Sequence, residues 1–407
     1  MTPLRILFVA RPYSIHTARW INQIADEGWD LHLFPSSEAP LHPAYRNITS
    51  YSFERNPRAT LDPTVRTRVL WPLPFAGSRI KKLSERFPPN WRDREAWLAR
   101  MIRRIKPDIV HGLEFQEAGY LLARTRELFR PGEFPPLIMT NWGSDIQLYG
   151  PLPDHTDKVK AVLAAADYYA SECERDVALA REYGFVGQAC PVLPAAGGFD
   201  LENMRQYRQP GPTSARRVVA LKGYQHWAGR ALAGLRALEL CADGLKAKGM
   251  TVALHSAYNP DVRLAAARIA QQSGLRIEIA ESETREEVLR TQGRARVSVG
   301  LSVSDGLSTS ALEALIMGAF PVQSNTSCLM ELLGGRETAL MVPPEDPPEI
   351  AAAIMRAVMD DDLVNSAAAA NDRIAETRLS DSIIRPDVVA MYRWVAENTD
   401  ERRKKYI

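Results

Sequence analysis

The sequence is poor in whatever would tie it to a metal or to a membrane span. Its four cysteines, Cys173, Cys190, Cys241 and Cys328, lie far apart and form no C-x-x-C or Cys/His pattern, so reduced thiols are expected rather than a zinc site or a disulfide framework. None of the seven histidines pairs with another at helical ligand spacing. Net charge is only +2, which removes the global basic excess of a nucleic-acid binder. No stretch approaches the ~18 apolar residues of a membrane-spanning helix, and the run Ile6 to Ala10 is too short for the apolar core of a signal peptide. A soluble or peripheral protein of the cytoplasm is expected.

What is present is a long, well-patterned globular chain. Its 407 residues exceed one ordinary core, so two domains are expected. "LRILFVA" (4–10) reads as a buried strand, "IHTARWINQIADEG" (15–28) as a helix stopped by Gly28, and "WDLHLF" (29–34) as a strand again. That is the opening of a parallel sheet. Further strands are expected at 108–112, 136–142, 167–171 and 189–195, then at 218–223, 251–257, 275–280, 295–301, 319–323 and 339–343. "RQPGPTSAR" (208–216), rich in Pro, Gly and Ser, reads as the linker between two doubly wound α/β domains. The expected division is 1–208, 209–380 and a helical tail over 381–407. In such sheets a ligand sits at the carboxyl ends of the strands, and two facing domains place it in the cleft between them.

One segment carries more than pattern. "SDGLSTSALEALIMGAFPV" (304–322) reads as a strand end, a glycine loop and a helix that stops at Gly318. The first-turn amides at Thr309, Ser310 and Ala311 then make an anion seat suited to a diphosphate. Asp305 precedes that seat, and Glu313 lies inside the helix, where a carboxylate can accept two hydroxyl hydrogen bonds from a ribose. Ser310 and Glu313 also fit the S-x-x-E capping box, which would give the glutamate a purely structural task.

This segment resembles the E-x7-E run of retaining glycosyltransferases of family 4, with Asp305 in place of the first Glu and Glu313 as the second. "SIHTARWINQIADEGWDLHLF", "KPDIVHG", "TNWGSDI", "GGFD" (197–200) and "GGRETALMVPPEDPPEIAAAI" (334–354) are similar to other parts of that family. The resemblance implies the GT-B fold, in which two Rossmann-like domains face a cleft. It implies transfer of a sugar with retention, from a nucleotide-sugar that is UDP- or GDP-linked, without a metal. The donor would lie on the C-terminal domain, touching Gly306, Leu307, Ser308, Thr309, Ser310 and Glu313. Asp305 would hold the sugar, while Lys222 and Arg230, in "ALKGYQHWAGRALAGLRAL" (220–238), would neutralise the departing diphosphate. The acceptor, a glycan, lipid-linked glycan or other metabolite, would meet His16, His111, Trp142 and Asp145 of the N-terminal domain. Trp142 stands where many relatives carry a histidine, and a tryptophan stacks on a sugar face but carries no proton. The last helix, 381–407, is expected to pack back on the N-terminal domain. "DDD" (360–362) contains D-x-D but reads as a solvated helix start.

Residues 54–106 hold fourteen Lys/Arg against five acids, a local balance of +9, with Trp71, Phe75, Phe87, Trp91 and Trp97 interleaved. That mixture suits an anionic membrane surface or a lipid-linked acceptor, and also an ordinary solvated face. Nucleic acid is not expected, because no binding motif accompanies the charge. Two rival readings share the fold: a non-hydrolysing sugar-nucleotide epimerase, and a degenerate GT-B protein kept as a scaffold.

Overall fold

Short runs of apolar residues, bounded by glycine, proline or polar turns, become strands buried on both faces. The computed structural model describes residues 3–52, 61–69, 93–280, 284–334 and 337–405. The chain divides into two units: Met1–Gly197 with Ile384–Ile407, and Gly198–Ile383. Residues 53–60 and 70–92, most of the basic arm, lie outside the described residues. Among the described residues no helix is long and apolar enough to cross a membrane.

The first unit has strands β1 (Arg5–Ala10), β2 (Asp30–Pro35), β3 (Thr49–Ser52), β4 (Arg66–Val69), β5 (Ile109–Leu113), β6 (Leu137–Thr140), β7 (Tyr168–Ala170) and β8 (Gln188–Ala189). They form one sheet in the order β4-β3-β2-β1-β5-β6-β7-β8, and every pair is parallel. Successive residues of β1 serve opposite faces, as the two-residue period of a strand requires. Leu7 and Val9 pack with the helices Arg94–Ile105, Tyr120–Arg126 and Pro153–Ala165. Ile6, Phe8 and Ala10 pack with the helix Ile15–Asn22 and with Ile384, Val388, Tyr392 and Val395 of the last helix, Asp381–Lys405.

The second unit has β9 (Val218–Lys222), β10 (Thr251–His255), β11 (Ile277–Ile279), β12 (Ala295–Gly300), β13 (Phe320–Ser324) and β14 (Leu340–Val342). Their order is β11-β10-β9-β12-β13-β14, again all parallel. Val219, Leu221, Val297 and Val299 bury one face against the helices Ala231–Leu240, Pro260–Ser273 and Pro347–Met359. The other face carries small residues, Ala220, Ala253 and Ala295, and there Ala314 of the helix Thr309–Ile316 packs. Alanines on both surfaces let this helix lie close to the sheet.

The stretch 208–216, read as a linker, lies inside the second unit. Arg216 is fully buried and donates to the carbonyls of Ala295 and Met317 at 3.0 and 2.9 Å, while the Thr213 hydroxyl donates to the Gly318 carbonyl at 2.7 Å. A cation and a hydroxyl thus occupy the carboxyl end of the helix Thr309–Ile316, where the dipole favours them. Gly318, at φ +73, supplies the left-handed turn that ends it. The chain passes between units instead at Gly197/Gly198 and Ile383/Ile384. The strand read at 189–195 stops at Ala189, because Pro191 has no N–H for a ladder. Asp360 caps the helix Asp361–Arg378 by accepting from the Leu363 N–H at 2.9 Å, so the acidic triplet is a helix start.

Candidate active site

Each sheet has a point at which neighbouring strands run off in opposite orders, between β1 and β5 in the first and between β9 and β12 in the second. Loops diverge from the carboxyl ends there and leave a crevice. The residues that follow those four strands are therefore the first to inspect.

In the second unit, β9 ends at Lys222 and β12 at Gly300. The loops that follow are laced together. Arg230 N–H donates to the Leu301 carbonyl at 3.1 Å and Val303 N–H to the Ala228 carbonyl at 2.9 Å. A Cβ at Gly229 would lie 2.4 Å from the Tyr224 carbonyl oxygen, so the tight loop needs glycine. From the far side the Thr326 hydroxyl donates to the Ser302 carbonyl at 2.6 Å, and Cys328 N–H to the Gly306 carbonyl at 2.9 Å. Gly306, Leu307 and Ser308 are buried, and Asp305, Thr309 and Ser310 are half-buried.

Three of the expected residues are brought together electrostatically. Burial pushes the Lys222 ammonium below its ordinary pKa, while the fields of Asp305 and Glu313 pull it back up. The Lys222 Nζ lies 4.3 Å from the ring centre of Tyr224. The helix Thr309–Ile316 starts after Ser308 without a side-chain cap. The Ser310/Glu313 capping box is therefore not formed. Glu313 is the fifth helical residue, with its side chain 8% exposed, and its Oε1 lies 3.5 Å from Arg285 Nε. Gln292 Nε2 reaches His255 Nε2 at 3.0 Å and, more distantly, Ser310 Oγ at 3.5 Å. Burial, with Lys222 nearby, pushes His255 down to about 3, so it is neutral at pH 7.

Arg230 is placed differently from the expectation of a cation facing the leaving group. Its Nε lies 2.5 Å from Glu345 Oε1. Its Nη1 donates to the carbonyls of His226, Trp227, Ala228 and Gly229 at 3.3, 3.4, 3.3 and 3.0 Å. Arg230 thus holds the loop in shape, while Lys222 lies in the fields of Asp305 and Glu313.

In the first unit Arg11 directly follows β1, and Glu114 directly follows β5. Glu114 has φ +76, a left-handed backbone uncommon for a side-chain-bearing residue. Its buried carboxylate accepts from Glu117 N–H at 3.0 Å and Ala118 N–H at 2.6 Å, and so caps the wide turn Phe115–Gly119. Arg11 lies 3.2 Å from Glu114 Oε2 and 3.4 Å from Glu117 Oε1. Asp145 Oδ2 accepts from Trp142 N–H at 2.7 Å and Phe115 N–H at 2.9 Å, joining the turns that follow β5 and β6. Burial pushes both Glu114 and Asp145 above the usual carboxylate range, and at Asp145 the neighbouring Glu114 adds to it. The Arg11 guanidinium carbon lies 5.7 Å from the Trp142 ring centre, and the His16 ring meets Trp142 edge-on at 6.0 Å.

His16 and Trp142 are thus neighbours and both half-buried, whereas Asp145 is buried and fixes the turn beneath Trp142. His111 departs from the expectation of an acceptor contact. It is fully buried, with Nδ1 2.7 Å from Tyr392 Oη and Nε2 2.7 Å from Thr140 Oγ1, so neither nitrogen is available to a ligand. Arg11, Glu114 and Glu117 were not foreseen. Their one signal in the sequence is position, since Arg11 and Glu114 each stand immediately after a strand at the switch point.

Residues 5–172 match the family described as Glycosyl transferase 4-like, and residues 250–360 the family described as Glycosyl transferases group 1. No curated protein sequence matches the chain. Among solved structures, sucrose-phosphate synthase from Thermosynechococcus elongatus is similar with a TM-score of 0.65 at 16% identity, covering 96% of this chain and 99% of that one. Anabaena HepE in complex with UDP and glucose gives 0.63 at 15% identity, covering 98% and 99%. A trehalose-6-phosphate phosphatase N-terminal domain from Candida albicans gives 0.66 at 13% identity, covering 97% and 96%. At these identities the likeness is one of fold.

Proposed function

The chain belongs to the GT-B glycosyltransferases, and from that premise we propose that it moves a sugar from a UDP- or GDP-linked donor to a hydroxyl of a glycan or lipid-linked acceptor. In this reading the anomeric configuration is retained and no metal is required. The observation that carries the reading is the place of Lys222 at the end of β9, within the fields of Asp305 and Glu313, together with a helix start without a side-chain cap at Thr309. A departing nucleoside diphosphate gains negative charge in the transition state. The first-turn amides at Thr309 and Ser310 and the Lys222 ammonium meet that charge, with the fields of the two carboxylates opposing the effect of burial on the lysine. Glu313 accepts the ribose hydroxyls, and Asp305 the hydroxyls of the transferred sugar. Arg230 contributes by fixing the loop that follows Lys222.

In the first unit Trp142 offers to the acceptor the ring face opposite Arg11, with His16 at its edge. The acceptor hydroxyl attacks on the face from which the diphosphate leaves, and the leaving oxygen takes its proton. HepE bound to UDP-glucose, a protein of similar fold, supports the donor class. Peripheral seating on the inner face of the membrane through residues 54–106 is part of the same reading.

The test is incubation with a panel of UDP- and GDP-sugars, followed by assay for free nucleoside diphosphate. Slow release supports the transferase, an isomerised donor points to an epimerase, and neither release nor heat stabilisation by any nucleotide leaves a scaffold.

A further inference from the structure

The helix Arg285–Arg294 begins at a Thr284 cap, whose hydroxyl accepts from the Glu287 N–H at 3.3 Å. That cap fixes Arg285 at the first helical position. From there the guanidinium reaches two groups on other elements of the second unit. Its Nη2 approaches the thioether of Met204 at 3.6 Å, and its Nε lies 3.5 Å from Glu313 Oε1. Glu313 thus has Arg285, at the head of this helix, as an ion-pair neighbour, and its field also reaches Lys222 at the end of β9.

Arg285 is 46% exposed along its side chain, while the Glu313 side chain is 8% exposed. With its arginine half exposed and the contact long, such a pair adds modestly to stability. What it does act on is a buried carboxylate in the second turn of a helix. Such a group accepts a pair of hydroxyls when it keeps one orientation. A contact of 3.5 Å is longer than the closed guanidinium–carboxylate hydrogen bond, so it guides Glu313 without closing on it.

We infer that Arg285 is a positioning residue that holds the Glu313 carboxylate for recognition of the ribose diol, and so determines the preference for ribonucleotides over deoxynucleotides. This rests on the ribose role proposed above for Glu313.

The experiment is calorimetric titration of the full chain with UDP and GDP and with their 2′-deoxy and 3′-deoxy forms, on wild type, Arg285→Ala, Arg285→Lys and Glu313→Ala. Wild type prefers the ribonucleotide. Arg285→Ala is expected to bind it about tenfold more weakly, with its preference over the deoxy forms falling toward one. Arg285→Lys restores most of that preference, and the melting temperature barely moves in either. A merely structural role would shift melting and leave the hydroxyl preference intact. If Glu313→Ala abolishes the preference while Arg285→Ala keeps it, the inference fails and the ribose reading stands. If Glu313→Ala keeps the preference, or wild type binds neither nucleotide, the ribose reading falls and the inference with it.

Discussion

Replacing His111 by glutamine tests the structure where it departs most from sequence expectation. Trp20 Nε1–H donates to Tyr392 Oη at 2.9 Å, which leaves the tyrosine hydrogen for His111 Nδ1. His111 Nε2–H then donates to Thr140 Oγ1. This chain of donors fixes one tautomer of a neutral imidazole, and a proton on Nδ1 would meet another hydrogen. Burial accordingly pushes His111 from 6.5 down to about 3. Below pH 6.5 the unfolded chain binds a proton that the folded chain refuses. Stability is therefore full above that pH and falls by about 1.4 kcal/mol per pH unit as the pH drops toward 3. Between pH 6 and pH 4 the loss attributable to His111 is about 2–3 kcal/mol.

Glu114 and Asp145, whose folded values are raised, work in the opposite sense: their cost is present at neutral pH and is relieved on acidification. The informative quantity is therefore the difference between wild type and His111→Gln, in which those terms cancel. Glutamine can bond to both hydroxyls but does not titrate. Seven of the eight tryptophans lie in the first unit, so tryptophan fluorescence during urea unfolding reports chiefly on it. The variant is expected to be weaker by about 1–2 kcal/mol at pH 7 and to match or overtake wild type below about pH 5. Parallel curves from pH 7 to pH 4 would refute the reasoning. So would an acceptor KM raised in the variant with unfolding unchanged, which would return His111 to the site.

Other expectations concern the second unit. Glu313→Ala is expected to weaken nucleoside diphosphate binding by more than about tenfold in a titration, and unchanged affinity with lower stability would make Glu313 structural. Lys222→Met is expected to lower the rate of diphosphate release at least about a hundredfold, a loss seen in kcat with saturating donor. Arg230→Ala is expected to raise hydrogen exchange across 223–230 and to lower activity less than Lys222→Met does. An equal loss without added exchange would make Arg230 a direct contact.

Legibility in the sequence followed burial. Strands such as β1, β9 and β12, covered on both faces, are unbroken apolar runs and are readable without any structure. Thr49–Ser52 and Arg66–Val69 are not, because they are short, polar and lie at one edge of their sheet. Asp305 and Glu313 were singled out because one segment combines a strand end, a glycine and a helix start, and Lys222 because its stretch is similar to the family's cationic region. Glu114 was hidden, since a lone acid after a strand has no spacing rule, and its backbone angle cannot be inferred from "GLEFQ". His111 misled for the related reason that a histidine near a strand end looks the same whether its ring enters the core or the crevice. The partner that settles it, Tyr392, is 281 residues away.

That distance has a consequence for how the protein is made. The helix Asp381–Lys405, which supplies Ile384, Val388, Tyr392 and Val395 to the first core, leaves the ribosome after every residue of the second unit. During translation the first unit therefore waits, its His111 without the tyrosine hydrogen and its apolar face only partly covered, while the second already has all its strands. A chaperone that shields exposed apolar surface would find its longest opportunity on the half of the polypeptide synthesised first.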